Sequence, residues 1–138
     1  MLRKKLFAEF LGTGTLVATV VGSGIMATDI SADIGIQLLI NTIATVFVLY
    51  ILITLLAPIS GAHFNPLVSV ISYLRKELSL VNTFWFLVMQ VLGGSFGAIL
   101  ANLMFEHPAL DPSQKVRDGA HLWLGKSLPQ PALSSLSS

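Results

Sequence analysis

The chain has 138 residues, 54% of them hydrophobic and only 11% charged, with a mean hydropathy of +0.79. An ordinary soluble domain carries about 25% charged residues, so the composition argues against a soluble protein and for a membrane one. Net charge is +1 with basic residues thinly spread, which gives no footing for nucleic acid, and the absence of cysteine excludes disulfides and thiolate-bound metals.

In chain order, the first apolar run, Leu6 to Ala27, carries one charge, Glu9; the second, Ile36 to Ala57, and the third, Asn82 to Phe105, carry none. Each satisfies the roughly 20 residues needed to cross a bilayer at about 1.5 Å per residue. The expectation is an all-α membrane protein with transmembrane helices at about 6–27, 36–57 and 82–105. Arg3, Lys4 and Lys5 precede the first run as they would in a signal peptide, but that run is too long for one and Met26-Ala27-Thr28-Asp29 is a poor cleavage site.

Between the second and third runs lies Gly61-Ala62-His63-Phe64-Asn65-Pro66-Leu67, a polar, helix-breaking insert. Lipid offers such backbone no hydrogen-bond partners, so it must be buried in protein or line a water-filled cavity. Asn65-Pro66 is a helix start, with Asn as N-cap and Pro at the first helical position. The apolar stretch Pro66 to Leu74 then rises only ~13 Å before Arg75-Lys76-Glu77 stops it, under half of a core about 30 Å thick. The insert therefore reads as a re-entrant unit over about 59–74, with Ile59 to Phe64 extended and a half-helix behind it. The positive dipole end of that half-helix, set at mid-membrane, would repel cations and protons.

Basic residues set the orientation. Arg3, Lys4 and Lys5 precede the first span and Arg75 and Lys76 follow the insert, while the loop from Thr28 to Gly35 has Asp29 and Asp33 but no Lys or Arg. The positive-inside rule places the N-terminus in the cytoplasm, with Trp85 as an interfacial anchor. Glu9 is a carboxylate inside the first span, where charge is costly and usually functional unless it snorkels to the nearby interface. His63 reads equally as a structural brace or a satisfied core histidine. Small residues recur at helical spacing at Ala8, Gly12, Thr15, Thr19 and Gly22, and again at Gly93, Gly97 and Ala101, as in close helix packing.

These residues resemble the major intrinsic protein family of aquaporins and aquaglyceroporins. Ala8-Glu9-Phe10-Leu11-Gly12-Thr13 is similar to its first-helix signature, Ser60 to Pro66 to its first Asn-Pro-Ala loop, and Gln90-Val91-Leu92-Gly93-Gly94 to its third helix. The resemblance covers about residues 1–125 and implies half of an hourglass fold that has six helices and two half-helices and assembles as homotetramers. It implies passive passage of water or small uncharged solutes through a multi-pass protein of the cell membrane, without a cofactor. Asn65 would offer its amide to the solute, the carbonyls of Gly61, Ala62, His63 and Phe64 would line the pore, and Glu9 and His63 would brace the loop. Counting back twenty positions from Asn65 reaches Thr45, at an outer constriction often held by a large aromatic. A small hydroxyl there favours a wider, more polar passage for solutes such as glycerol or metalloid hydroxides.

Two features depart from the family pattern. Leu67 stands where the family usually has alanine, and after Phe105 neither a further spanning run nor a second Asn-Pro motif follows. The expectation is one repeat over 1–105, an external inter-repeat loop over 106–125 and a disordered tail over 126–138, as a frameshift or early stop would leave. Such a half repeat would conduct only in an assembly that completes it; the alternatives are a non-conducting fragment that associates with full-length subunits, or two inverted copies rebuilding the hourglass. An enzyme is not expected, because Glu9 and His63 have neither a nucleophile nor a metal cluster beside them.

Overall fold

A computed structural model describes residues 1–105, and the loop expected over 106–125 and the tail over 126–138 lie outside the described residues. The described residues form α1 (Leu2–Ile30), α2 (Ile34–Ser60), α3 (Pro66–Leu74) and α4 (Leu80–Met104), with no strand among them. Three of these helices, α1, α2 and α4, are long and apolar enough to cross a membrane, and α3, of nine residues, is too short. This is the all-helical half-hourglass architecture that the sequence leads one to expect.

Local chemistry fixes the helix ends. Asp33 caps α2 by accepting a hydrogen bond from the Ile36 N–H at 3.1 Å, and Ser79 caps α4 by accepting from Asn82 at 3.2 Å. The turn between α1 and α2 is tied by the Gln37 amide, which donates to the Ser31 carbonyl at 2.7 Å. At the far end of α3, Lys76 takes a left-handed φ of 63° and the Glu77 N–H returns to the Ser72 carbonyl at 2.9 Å.

One expectation needs correction. The stretch Ile59 to Phe64 is not extended throughout, because α2 runs through Pro58 to Ser60 and only then breaks. Pro58 removes one backbone donor, a loss that neighbouring groups tolerate inside a membrane bundle. The break comes at Gly61, whose φ of 90° suits glycine and whose N–H closes the helix on Ala57 at 2.9 Å.

The central element is α1, which packs against α4 on one side and α2 on the other. Its contact with α4 is backbone to backbone: a Cβ on Gly97 would collide with the Gly14 carbonyl, one on Gly93 with the Phe10 carbonyl, and one on Gly14 would lie 3.0 Å from the Gly93 oxygen. Gly93, Gly97 and Ala101 are buried as their spacing suggests. On α1 the close contact is made by Gly14, whereas Thr15 and Thr19 line an open groove and Thr19 bonds back to the Thr15 carbonyl. By contrast α2 has only 6% of its most apolar stretch buried, against 28% in α1 and α4, so most of its apolar surface is available to lipid or to further protein.

Candidate functional site

The site is built around Glu9, whose side chain is fully buried. It lies seven residues into α1, ~10 Å from the start of that helix. Its Oε1 accepts from Ser60 Oγ at 2.7 Å and from the His63 N–H at 3.1 Å. Its Oε2 accepts from the Phe64 N–H at 2.8 Å and from Gln90 Nε2 at 3.0 Å. One carboxylate thus ties the end of α2, the loop and the middle of α4 together.

A second ring of bonds closes the cluster. Gln90 Nε2 also donates to Ser69 Oγ at 2.9 Å, and Ser69 Oγ bonds His63 Nδ1 at 3.0 Å. Ser69 is fully buried on α3, so the half-helix is attached to the same network. The His63 ring packs edge-on against buried Phe86 at a centroid distance of 5.3 Å. Gly61 leaves room for that ring, since a Cβ there would lie 3.3 Å from His63 Nε2.

The loop backbone is held in an unusual shape. Ala62 and Phe64 both have φ of 53°, a left-handed conformation that costs a side-chain-bearing residue roughly 1–3 kcal/mol. Hydrogen bonds to a carboxylate contribute about 1.5–3 kcal/mol each, so the four at Glu9 outweigh the strain. The Phe64 side chain supplies a further anchor: it is buried in a notch on α1 that exists because residue 12 is glycine, where a Cβ would overlap the ring.

This arrangement sorts donors from acceptors. The N–H groups of Ala62, His63 and Phe64 all point inward, the first to Ser60 Oγ at 3.2 Å and the others to Glu9. Among the described residues none donates to the carbonyls of Gly61, Ala62, His63 or Phe64. Asn65 is sorted in the same way: its Oδ1 accepts from the Leu67 N–H at 2.9 Å, capping α3, and among the described residues no group accepts from its Nδ2. A row of free acceptors therefore leads to a free donor at the N-terminus of a half-helix.

Of the residues singled out from sequence, Glu9, Gly61, Ala62, His63, Phe64 and Asn65 come together here. Thr45 does not. Its hydroxyl donates to Asn41 Oδ1 at 3.1 Å, and Asn41 accepts in turn from Ser23 at 3.4 Å. It lies fifteen residues along α2 from Ser60, ~22 Å away along the helix. Ser60, Ser69 and Gln90 were not anticipated as members of the cluster. Gln90 carried a readable signal, as an uncharged but strongly polar side chain in the middle of a spanning run; the two serines carried none.

A carboxylate and an amide buried within apolar spans, tied to a half-helix too short to cross, define a multi-pass membrane protein with a re-entrant loop. The sequence model of the Major intrinsic protein family matches residues 1–128, and the chain belongs to that family. It is 48% identical over 127 residues to Aquaglyceroporin AqpS of Rhizobium meliloti (strain 1021), covering 92% of this chain and 54% of that protein. It is 38% identical over 93 residues to Probable aquaporin PIP1-5 of Arabidopsis thaliana, covering 66% of this chain and 31% of the relative. Identity to human Aquaporin-5 is 29% over 100 residues, 69% of this chain and 34% of the relative. The chain thus spans about half the length of the first of these relatives and about a third of the others.

Proposed function

We propose that this chain supplies one half of a membrane channel for passive passage of water or small uncharged solutes. The observation that carries the reading is the sorting of backbone groups in the loop, with N–H groups tied to Ser60 and Glu9 and carbonyls left free beside the Asn65 amide. A neutral solute that sheds water can take hydrogen bonds from such a ladder at each step. A cation reaching Asn65 meets the positive end of the α3 dipole, which disfavours it.

Aquaglyceroporin AqpS, as its name says, belongs to the glycerol-conducting kind, and this likeness favours glycerol-type solutes over water alone. Thr45, on the other half of α2, is the residue we assign to the outer constriction, with Leu67 beside Asn65 narrowing the inner one. Leu67 supports that role by its position at the second residue of α3, where it is 64% exposed. The basic residues Arg3, Lys4, Lys5, Arg75 and Lys76 favour a cytoplasmic N-terminus in the cell membrane. A sealed passage needs a second half-helix opposite α3, so conduction is expected only in an assembly that provides one, such as an inverted pair of chains.

Reconstitution in liposomes with stopped-flow light scattering tests this. Water or glycerol flux above that of empty vesicles, lost in Asn65→Asp, is the expected result. Flux equal to empty vesicles at every protein density would overturn conduction by this chain and leave association with full-length subunits as its role.

A further inference from the structure

Asn41 is an amide set inside an apolar span with much of its hydrogen-bonding capacity unspent. It is the eighth residue of α2, ~10 Å from the Ile34 end of that helix, and half-buried. Its Oδ1 accepts twice, from Thr45 Oγ1 at 3.1 Å and from Ser23 Oγ at 3.4 Å. Among the described residues nothing accepts from its Nδ2. Asn65 shows the same division, with its oxygen committed to the protein and its amide left over.

Helix packing does not account for Asn41. Polar side chains in a membrane bundle commonly bond across helices, but the Thr45 bond stays within α2, and the tie to α1 comes from Ser23, whose single proton is shared with the Val20 carbonyl at 3.3 Å. Thr45 also departs from its neighbours. Thr19, Thr54 and Thr83 donate to the carbonyl four residues back at 2.7 to 2.9 Å, whereas Thr45 donates to a side chain. With that proton spent on Asn41, the Thr45 oxygen is left as an acceptor beside the Asn41 donor.

Helix geometry puts this pair on the side of α1 that holds the loop. A Cβ on Gly24 would lie 3.4 Å from Asn41 Nδ2, so the amide sits against Ser23 and Gly24. These two follow Glu9 by fourteen and fifteen residues, which at about 3.6 residues per turn sets them ~40° and ~60° to either side of the direction in which Glu9 reaches the loop. Asn41 therefore stands over the same face of α1, about four turns further along. Given the passage proposed above, on which this rests, we infer that Asn41 is a second solute-binding amide and forms with Thr45 a subsite for a small hydroxylic solute. The solute accepts from Asn41 Nδ2 and donates an O–H to Thr45 Oγ1, while Ser23 is a positioning residue that keeps the amide oxygen turned to α1. All three residues lie in one chain, so the subsite does not wait for the half-helix that completes a pore.

Side-chain amide NMR of the full chain, isotope-labelled in detergent, tests this with glycerol as the probe and acetone, of similar size but without an O–H to donate, as the comparison. The two Nδ2 proton resonances of Asn41, assigned by their absence in Asn41→Leu, should shift saturably with glycerol. Half-saturation by acetone should need about five times the concentration, the worth of one neutral hydrogen bond. Thr45→Val should raise the glycerol value about fivefold, to that of acetone, while Thr45→Ser, which keeps the hydroxyl, stays within about twofold. A glycerol response that never saturates, equal half-saturation by the two probes, or a glycerol value unchanged in Thr45→Val overturns the subsite. Asn65 reports separately on the passage. If its Nδ2 resonances move with glycerol and those of Asn41 do not, the passage stands and this subsite falls; the reverse pattern keeps the subsite and removes Asn65 from the path.

Discussion

The two seams of α1 are built to different tolerances. Against α4 the chain brings glycine to backbone carbonyl at Gly14, Gly93 and Gly97, and the tilted rings of Phe10 and Phe96 pack at 5.9 Å beside them. Against α2 it is pinned at one end by Ser60, which donates to Glu9 at 2.7 Å; the link further along is the longer Ser23 to Asn41 bond at 3.4 Å, and an apolar groove opens between the first turns of α1 and the last turns of α2. The difference follows from the loop. Glu9 must reach both His63 and Gln90, and Phe64 must seat against Gly12, so α1 and α4 have to be fixed relative to each other within fractions of an ångström. Away from Ser60 no such demand falls on the α2 seam, and there slack is harmless.

The largest expected effect comes from prising the tight seam open. Gly97→Leu drives a side chain into the Gly14 carbonyl, a backbone group that cannot swing away. Overpacking costs typically 1–3 kcal/mol where side chains can yield, and more here. The variant should fail to give a monodisperse, helical protein in detergent. On the slack seam Gly24→Ala places its methyl 3.4 Å from the flexible Asn41 amide. Its melting temperature should stay within the range of a surface change, about ±0.5 kcal/mol equivalent. Equal damage from both would remove the distinction between the seams.

Next in size is Glu9→Ala, which leaves Ser60 Oγ, the His63 and Phe64 N–H groups and Gln90 Nε2 without their acceptor. Unsatisfied buried donors cost about 1–3 kcal/mol each, and partial relaxation of the loop brings the expected total to roughly 3–5 kcal/mol. Hydrogen exchange should show the amides of Ala62, His63 and Phe64 losing protection while the α2 interior keeps its own. Uniform loss across all helices would mean that Glu9 supports the whole bundle rather than the loop.

A paired comparison sets the polar cluster under the loop against the polar link of the α2 seam. Ser69→Ala removes a partner from both Gln90 and His63 in a fully buried position, and about 1–2 kcal/mol of destabilisation is expected. Asn41→Ala removes the part-buried links to Ser23 and Thr45, with an expected cost under about 1 kcal/mol. Thermal melts in one detergent rank the two, and the reverse order would place the more demanding polar cluster on the α2 side.

The spans and the half-helix were legible because each rests on a signal that adds up over many residues or on a local rule. Apolar length marked α1, α2 and α4, and Asn65-Pro66 marked the start of α3. Glu9 stood out as a single charge in its run. What escaped depends on three-dimensional context. Pro58 reads as a helix end, yet α2 continues past it because a bundle interior tolerates one lost backbone bond. Ser60 and Ser69 are ordinary residues until the fold sets them beside Glu9 and Gln90. The left-handed turns at Ala62 and Phe64 have no sequence mark, since alanine and phenylalanine are poor choices there and contacts made only in the fold hold them, Ser60 on Ala62 and Glu9 and the Gly12 notch on Phe64. Thr15 and Thr19 fitted the small-residue spacing and Gly14 did not, yet it is Gly14 that the rotation of α1 turns to the seam.

The smallest expected effect tests how complete the tight seam is. Thr13 is buried there, its methyl group 3.7 Å from the Cβ position of Gly94, and its Oγ1 has no hydrogen-bond partner among the described residues. A hydroxyl buried in this way loses its solvation and gains nothing, whereas the isosteric methyl of valine fits the same space. Thr13→Val should therefore be neutral or raise stability by up to about 1 kcal/mol, seen as a small upward shift of the melting temperature with unchanged helix content. A loss of stability would mean that the hydroxyl has a role in holding α1 to α4, and the seam would then rest on polar bonding as well as on glycine-to-carbonyl contact.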